Sequence, residues 1–367
     1  MKKHGQWWWN IIRTVGFFSL FILFVASFSD RISPLFCVWF SYLGLFFPFI
    51  LLFNIAFAVL LIISKKWKMI IVYAVVFFSC WGAISTYFPI NLETKEVPEN
   101  CIKLLTYNVM NFNAIKKDSK GYNPVLRYIA DSNADIICIQ EYAAHKTSAE
   151  HLQKSNIVAA LKSTPYHCIE QYSHSNKNTT HAIAVFSKFP ITGIKKIPYE
   201  SSYNASIMVE LDINGKKLTL INNHLETNGF SMEEKTEYYD LTNNPNSEKL
   251  DNFTHLMFRK LTPAFKARAK QAQIIADAVK ENKNPYLIVC GDFNDTPISY
   301  ARHTIKENLG DAFVETGFGT GITFNRHRFL FRIDHILHSD NIKAYNCTVG
   351  DLKDSDHYPV QCWLQLN

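Results

Sequence analysis

The stretch Tyr286-Leu287-Ile288-Val289-Cys290-Gly291-Asp292-Phe293-Asn294-Asp295 is an apolar run that stops abruptly in a carboxylate and an amide. Five apolar positions between Pro285 and Gly291 fit a strand covered on both faces, where backbone pairing leaves only the end free for chemistry. A single Gly-Asp at a strand end serves equally well as a turn or helix cap. The chain, however, repeats the device at least four more times, at Asn108, at Glu141, at His224 and around Asp334 and Asp356-His357.

Working outward from that strand, composition splits the 367 residues near position 94, and a chain of this length is long enough for two structural units. No charged residue occurs from Ile32 to Ser64, a run of 33, or from Met69 to Leu92, a run of 24. Both exceed the ~20 apolar residues that span a bilayer. Thr14 to Ser29 is a third, shorter candidate of 16 residues, preceded by Trp7, Trp8 and Trp9 as an interfacial belt and by Arg13, which can snorkel. A signal peptide is the competing reading of that first segment, although no small-x-small cleavage site follows it. The expectation is a membrane anchor of about three transmembrane helices over residues 1–94 and a second domain over 95–367.

Lysine placement orients the anchor, since basic loops stay in the cytoplasm. Lys2 and Lys3 precede the first span, and Lys65, Lys66 and Lys68 separate the second from the third. An odd number of crossings then puts residues from about 95 onward outside the cytoplasm, in the periplasm or on the outer face of an inner membrane. The 33-residue run leaves an ambiguity. As one helix it would be about 50 Å long against a ~30 Å hydrocarbon core. Either Pro48 kinks it or it folds back, and a fold-back would reverse the parity.

Residues 1–94 carry seven Lys or Arg and two acids, a balance of +5, whereas 95–367 carry 31 and 30, a balance of +1. The basic pI is therefore a property of the membrane flanks. The second domain lacks the global positive charge that dominates nucleic-acid affinity, although a local patch would suffice. Cys138 and Cys290 sit inside apolar strand patterns as small buried hydrophobes. Cys101, Cys168, Cys347 and Cys362 could pair in an oxidising compartment, and no metal-like cysteine spacing occurs.

Along residues 95–367, strand patterns at 102–107, 135–139, 182–186, 206–213, 218–222, 286–290, 329–337 and 360–366 alternate with helix patterns at 124–132, 148–162 and 264–281. Asn214-Gly215 is a two-residue hairpin signal. Asn228 to Leu261 is polar, aromatic and irregular, as expected of an insertion with one or two short helices. Strands alternating partly with helices and partly with hairpins point to a mixed α/β sandwich rather than a doubly wound parallel sheet.

Pooled, the polar strand ends are Asn108, Glu141, His224, Asp292, Asn294, Asp334, Asp356 and His357. Carboxylate and amide oxygens with few thiols suit Mg²⁺ or Mn²⁺, which keep waters for a phosphate substrate. Zinc fits less well, because the histidines have no close ligand spacing and no Cys joins them. A His beside a carboxylate, with another Asp to orient the ring, suits general acid–base work near neutral pH. The implied target is a phosphoester. Arg326, His327, Arg328 and Arg332 form a basic cluster that is either a phosphate grip or a solvated loop. His335, inside the same strand pattern as Asp334, is set aside as a facing-out or core histidine.

Gln140-Glu141, Asn222-Asn223-His224-Leu225, Gly291-Asp292-Phe293-Asn294, Arg332-Ile333-Asp334-His335-Ile336-Leu337 and Ser355-Asp356-His357-Tyr358-Pro359-Val360 resemble, in order, the signature blocks of the endonuclease/exonuclease/phosphatase superfamily. The resemblance covers about residues 100–367. It implies the pancreatic deoxyribonuclease-like fold, a four-layer αββα sandwich of two mixed β-sheets, here preceded by a transmembrane helical segment as in a membrane-anchored bacterial-type member. It also implies roles. Glu141 would be the principal metal ligand, supported by Asn108 and Asp356. His357 and Asp334 would form a dyad, His224 would bond a phosphoryl oxygen, and Asp292 and Asn294 would align nucleophile and phosphate. Whether Asp292 or His357 takes the water's proton is left open.

The resulting expectation is a Mg²⁺-dependent phosphoester hydrolase, a phosphodiesterase or phosphatase, held at the bilayer. A lipid headgroup or inositol phosphate gains weight as substrate from the short tether. A nuclease on DNA or RNA is the enzymatic alternative, and a non-catalytic binding module the alternative from another class.

Overall fold

The computed structural model describes residues 2–113, 122–147, 151–172, 178–244, 246–326 and 329–367. It opens with four helices: α1 (Lys2–Ala26), α2 (Trp39–Ile63), α3 (Trp67–Ser79) and α4 (Trp81–Tyr87). Two stretches are long and apolar enough to cross a membrane, Gln6–Arg31 and Trp39–Ile63, and α3 with α4 makes a third only as a pair bent by 65°. The 33-residue uncharged run does not fold back. Its first residues are a loop, and the remainder is the 25-residue α2 with Pro48 inside it, about 37 Å long at 1.5 Å per residue. The helices are tied by polar contacts that an apolar surrounding makes specific. Asn54 Nδ2 donates to the carbonyls of Ile50 and Ser19, and Tyr73 OH donates to the carbonyl of Gly16.

The rest of the chain runs β1 (Ile102–Asn108), α5 (Pro124–Asp131), β2 (Ile136–His145), α6 (Lys154–Ala160), β3 (Tyr166–Gln171), β4 (Thr179–Ser187), β5 (Ile191–Ile197), β6 (Ala205–Ile213) and β7 (Lys216–His224). Then follow α7 (Met232–Asn243), α8 (Ser247–Glu281), β8 (Tyr286–Asp292), α9 (Tyr300–Lys306), β9 (Gly310–Asp311) and α10 (Ala312–Thr316). A hairpin of β10 (Phe324–Arg326) and β11 (Phe329–Phe331), and the strands β12 (Asp334–His338), β13 (Ile342–Val349) and β14 (Val360–Leu366), complete it.

Two six-stranded sheets result, in the orders β13-β14-β1-β2-β4-β3 and β5-β6-β7-β8-β12-β9. Each is antiparallel except for one central parallel pair, β1 with β2 and β7 with β8. Parallel neighbours need a crossover; α5 supplies one and the α7–α8 segment the other. Alternation along the strands buries one set of side chains between the sheets, Leu104, Cys138, Val185, Leu220, Ile288 and Cys290 among them. The other set packs under helices: Leu105 and Ile137 with Ile129 of α5 and Ile157 of α6, and Ile221 and Val289 with Ala272 and Ile275 of α8. The architecture is thus the αββα sandwich, and the mixed sheets match the expectation.

Three local differences from the sequence reading have physical causes. The helix expected over 264–281 begins at Ser247 and runs 35 residues through Pro263; proline removes one backbone bond, but Leu261 and Phe265, on either side of it, are buried against Tyr42 of α2. The helix expected over 148–162 is Lys154–Ala160, residues 148–150 lying outside the described residues. The strand expected over 329–337 breaks at Arg332 and Ile333, because the chain passes there from the hairpin into the sheet. All eight cysteines are free, so Cys101, Cys168, Cys347 and Cys362 are unpaired.

The apolar helices dock directly on the sandwich. A Cβ on Gly44 of α2 would stand 2.1 Å from the carbonyl oxygen of Ile298, so only glycine permits this approach. Tyr42 OH lies 2.9 Å from Thr262 Oγ1, and Asp30 Oδ2 lies 3.2 Å from His303 Nδ1 on α9. The connection to β1 is strapped down as well: Asn91 donates to the carbonyls of Val314 and Gly317, and Thr94 exchanges two bonds of 2.8 Å with the Asn346 side chain.

Candidate active site

Each central parallel pair brings polar residues of two strands to the same edge of the sandwich. In the first sheet β1 ends at Asn108, level with Gln140. The sequence suggests that β2 ends there too, yet it continues to His145 and carries a register shift between Ile139 and Tyr142. A bulge of this kind re-aims side chains beside a site. Gln140 turns inward, its Nε2 donating to Asn222 Oδ1 of the opposite sheet at 2.6 Å and to Thr106 Oγ1 at 3.0 Å. Glu141, at φ 51°, turns out to the rim, where its side chain is 33% exposed. Such a conformation costs a non-glycine residue roughly 1–3 kcal/mol.

In the second sheet His224 stands level with Asp292. Gly291 has φ 120°, and a Cβ there would meet the carbonyl oxygen of Asn223 at 2.1 Å; the Gly-Asp dipeptide is thus imposed by close strand packing. Asp292 is buried, with Oδ1 accepting from Asn294 N–H at 2.7 Å and Oδ2 from Asn108 Nδ2 at 3.0 Å. That same Asn108 amide donates to Glu141 Oε1 at 3.1 Å, so one side chain bridges the carboxylates of both sheets. Asn294 Nδ2 donates to the Leu225 carbonyl, fixing the turn after Asp292.

Asp334 opens β12 directly opposite Asp292. Two carboxylates in register repel, and the neighbouring cation is His357, whose Nδ1 donates to Asp334 Oδ2 at 2.8 Å while Nε2 lies 3.6 Å from Asp292 Oδ2. Burial opposes charge on this ring, but Asp334 and Asp292 outweigh it and raise its pKa to about 10. Burial likewise raises Asp292 above the usual carboxylate range, with the His357 cation opposing and Asp334 assisting. The loop bearing His357 is tied to β1 through Ser355, whose Oγ donates to the Asn108 carbonyl at 2.8 Å and accepts from His357 N–H.

His224 is neutral, its pKa lowered to about 3 by burial and then by the charge on His357. Tyr172 OH accepts from Glu141 N–H at 3.2 Å and lies 3.1 Å from His224 Nδ1; the carboxylates of Glu141 and Asp292 on the far side of the ring favour the tautomer with the proton on Nε2, to whose Nδ1 the hydroxyl then donates. That Nε2 is buried without a hydrogen-bond partner, 3.8 Å from both Glu141 Oε1 and Asp292 Oδ2. An unsatisfied donor aimed into a pocket marks a place for a ligand.

Glu141, Asp292, Asn294 and His357 line a cavity of about 140 Å³ whose other walls include Asp356, Phe324, Phe265 and, unexpectedly, Leu45 of α2, while His224 and Tyr172 line a neighbouring cavity that also reaches Glu141. A family model described as "Endonuclease/Exonuclease/phosphatase family" matches residues 105–357. The chain belongs to the endonuclease/exonuclease/phosphatase family. A second model, "Domain of unknown function (DUF8431)", matches residues 10–87. No curated protein matches the chain. Among solved structures, an endonuclease/exonuclease/phosphatase from Beutenbergia cavernae DSM 12333 aligns at 15% identity and TM-score 0.50, over 73% of this chain and 72% of that one. A family protein from Leptotrichia buccalis C-1013-b aligns at 17% identity and TM-score 0.48, over 72% and 99%. One from Bacteroides vulgatus does so at 17% and 0.47, over 73% and 100%.

For a member of this family a divalent cation is the obvious question, and the donor set fits one. Glu141 and Asp292 face each other across a single amide, Asp356 lines the same cavity, and all offer hard oxygens. Asn108 turns its NH₂ to the carboxylates while its Oδ1 accepts from Met110 N–H, so ligation through oxygen requires the side chain to turn and release the Met110 bond. Asp292, Asp334 and His357 also bring ligand atoms within 4.8 Å of one another. The 2.8 Å bond inside that trio makes it a hydrogen-bonded dyad facing a carboxylate.

All eight predicted residues therefore surround one edge, with Asp356 the loosest of them. The basic cluster does not hold together. Arg332 is buried, donates to the carbonyls of Thr320 and Thr86 and stacks over Phe313, so it grips protein and not phosphate. Arg326 reaches Met110 Sδ, and His327 and Arg328 lie outside the described residues. His335 is a core histidine, its Nε2 3.2 Å from the Asp295 carbonyl, with its pKa lowered to about 3 by burial and Arg302. Sequence reasoning missed Tyr172, which sits beyond a strand with no motif, and Thr323, whose Oγ1 accepts the N–H groups of Ile333 and Asp334. Only a coincidence of strand ends, visible in three dimensions, picks them out.

Proposed function

We propose that this family member is a divalent-metal-dependent phosphoester hydrolase, anchored in a membrane by residues 1–94 and catalytic over 95–367. One observation carries the reading: a carboxylate-held imidazolium, a neutral imidazole with an unpartnered N–H, and two carboxylates bridged by one amide converge on a single rim. Glu141, Asn108 and Asp356 are the residues that would hold Mg²⁺ or Mn²⁺. Bound there, the ion withdraws charge from phosphoryl oxygens.

The chain's own groups do the rest. His224 Nε2–H donates to a phosphoryl oxygen. Asp292, both of whose oxygens are already fixed by Asn294 and Asn108, orients the attacking water and accepts its proton. His357, held by Asp334, presents Nε2–H to charge developing around phosphorus. As the water oxygen bonds to phosphorus, the ester P–O bond breaks and the leaving oxygen is protonated from the site or solvent.

The extracytoplasmic reading draws its support from the end of α2 that the sandwich occupies. Asp30 and the start of α2 touch the sandwich, while Lys65 and Lys66 follow the far end of α2. By the positive-inside rule residues 95–367 are then extracytoplasmic. A site tethered this closely favours a lipid headgroup over nucleic acid, in keeping with the charge balance of +1 over residues 95–367.

Full-length protein in detergent is expected to hydrolyse bis(p-nitrophenyl) phosphate with Mg²⁺, to lose the activity with EDTA, to regain it with added Mg²⁺, and to lose it on Glu141→Ala. Turnover indifferent to chelator and substitution would sink the metal assignment, and no turnover under any condition would sink the hydrolase reading. A reporter fused after Leu366 is expected to be active only outside the cytoplasm; cytoplasmic activity would reverse the orientation.

A further inference from the structure

The cavity at the strand ends does not stop at polar groups. It shares Leu45, Met257, Phe329 and Phe331 with a second, larger cleft of about 620 Å³, within the usual size range of ligand pockets. One wall of this cleft is the first turns of α2, with Tyr42, Phe46 and Phe49; the facing wall is α8 and the β11 strand, with Phe253 and Leu330. Tyr238 is stacked between Phe253 and Phe329, at centroid distances of 4.8 and 4.2 Å, so that wall is rigid aromatic surface. Among the described residues lining the two cavities, the only Lys or Arg side chains are Arg268 and Arg332, both buried and bonded within the protein.

We propose that this cleft binds the acyl chain of a membrane lipid whose phosphoester enters the polar cavity. The inference rests on the hydrolase reading above and names its substrate class. Three observations carry it. The apolar cleft adjoins the reacting end, the two sharing Leu45, Met257, Phe329 and Phe331 as lining, so that one amphipathic molecule spans both. Its inner wall is a helix apolar and long enough to cross a membrane, which places the opening at the bilayer boundary, where Trp39 marks the start of that helix. Its outer lip leaves Phe49 61% and Leu330 51% exposed, surface that water disfavours and lipid covers. A nucleic-acid strand finds no free cation in this lining, and its backbone contacts need them.

Each CH₂ buried in the cleft strengthens binding of the chain, so chain length is the readout. The probes are p-nitrophenyl methyl phosphate and p-nitrophenyl hexadecyl phosphate, presented to the full-length protein in mixed micelles at fixed detergent. The expected result is a kcat/KM at least about tenfold higher for the hexadecyl ester. Thr254→Trp, an exposed cleft position outside the polar cavity, is expected to erase that gain while leaving the methyl ester unchanged. Equal rates for the two esters, equal slowing of both by Thr254→Trp, or turnover of single-stranded DNA or RNA without any chain-length gain overturns the proposal. A hexadecyl phosphodiester carrying a diazirine on its chain, mapped by mass spectrometry, separates the two readings. Labelling concentrated at Tyr42, Phe253 and Met257 in a protein that cleaves neither ester would sink the hydrolase reading alone. Labelling spread evenly over α1 and α3 would sink the acyl site even in an active enzyme.

Discussion

The two central parallel strand pairs meet the same requirement in different ways. Both deliver a carboxylate to one edge, but β2 does so through a bulge in mid-strand that leaves Glu141 33% exposed, while β8 does so at its end, after Gly291, and leaves Asp292 1% exposed. Exposure decides what each acid can do. A rim carboxylate keeps water within reach and suits a hydrated divalent cation. A buried one, pushed above the usual carboxylate range by desolvation and by Asp334 and held in place by Asn294 and Asn108, is suited to accept and pass on a proton. Tyr172 joins the halves, accepting from the Glu141 backbone and orienting His224.

The comparison can be broken. Asp292→Asn is expected to have the largest effect, a fall of about 10²–10⁴ in kcat, the usual contribution of a positioned acid–base group, with no rescue by added Mg²⁺. A loss under tenfold would remove Asp292 from proton transfer. Glu141→Ala comes next, its lost activity being partly recoverable at higher Mg²⁺, since Asp356 and Asn108 remain to offer oxygens at the weakened site; titration of activity against Mg²⁺ checks this, and identical rescue profiles for the two variants would erase the distinction between rim and buried acid. Smallest is Tyr172→Phe, about 5–15-fold in kcat/KM for one lost hydrogen bond of roughly 1–1.5 kcal/mol. In a His224→Ala background the same change should cost almost nothing, because the hydroxyl acts through that ring; full additivity would show that Tyr172 does not act through His224.

Much of the site was legible because strands end where apolar runs end, and polar residues at those points have nowhere to go but the edge. Asp292, Asn294, His224 and Asn108 were found in that way, and five blocks in order identified the family. Glu141 was found on the motif and misplaced on the strand, since a bulge is a disagreement of register between two strands and leaves no mark in either. Arg332 was misjudged for a related reason. A basic residue among other basic residues looks like a surface patch, and its actual partners, the carbonyls of Thr86 and Thr320, lie 246 and 12 positions away.

By itself the sequence determined the apolar N-terminal helices, the α/β class and the polar residues that gather at one edge, all of which depend on local periodicity or on residue chemistry. Only the tertiary structure decided that the 33-residue run holds a single helix, that α8 passes through Pro263, and that α2 walls the cavity at the strand ends. Those are contacts between elements some 200 residues apart, such as Tyr42 with Thr262. Gly44 shows the reason most plainly. It is an unremarkable glycine in an apolar helix until the carbonyl of Ile298 is brought against it, because the space around a side chain is set by whichever surface packs there and not by its neighbours in the chain.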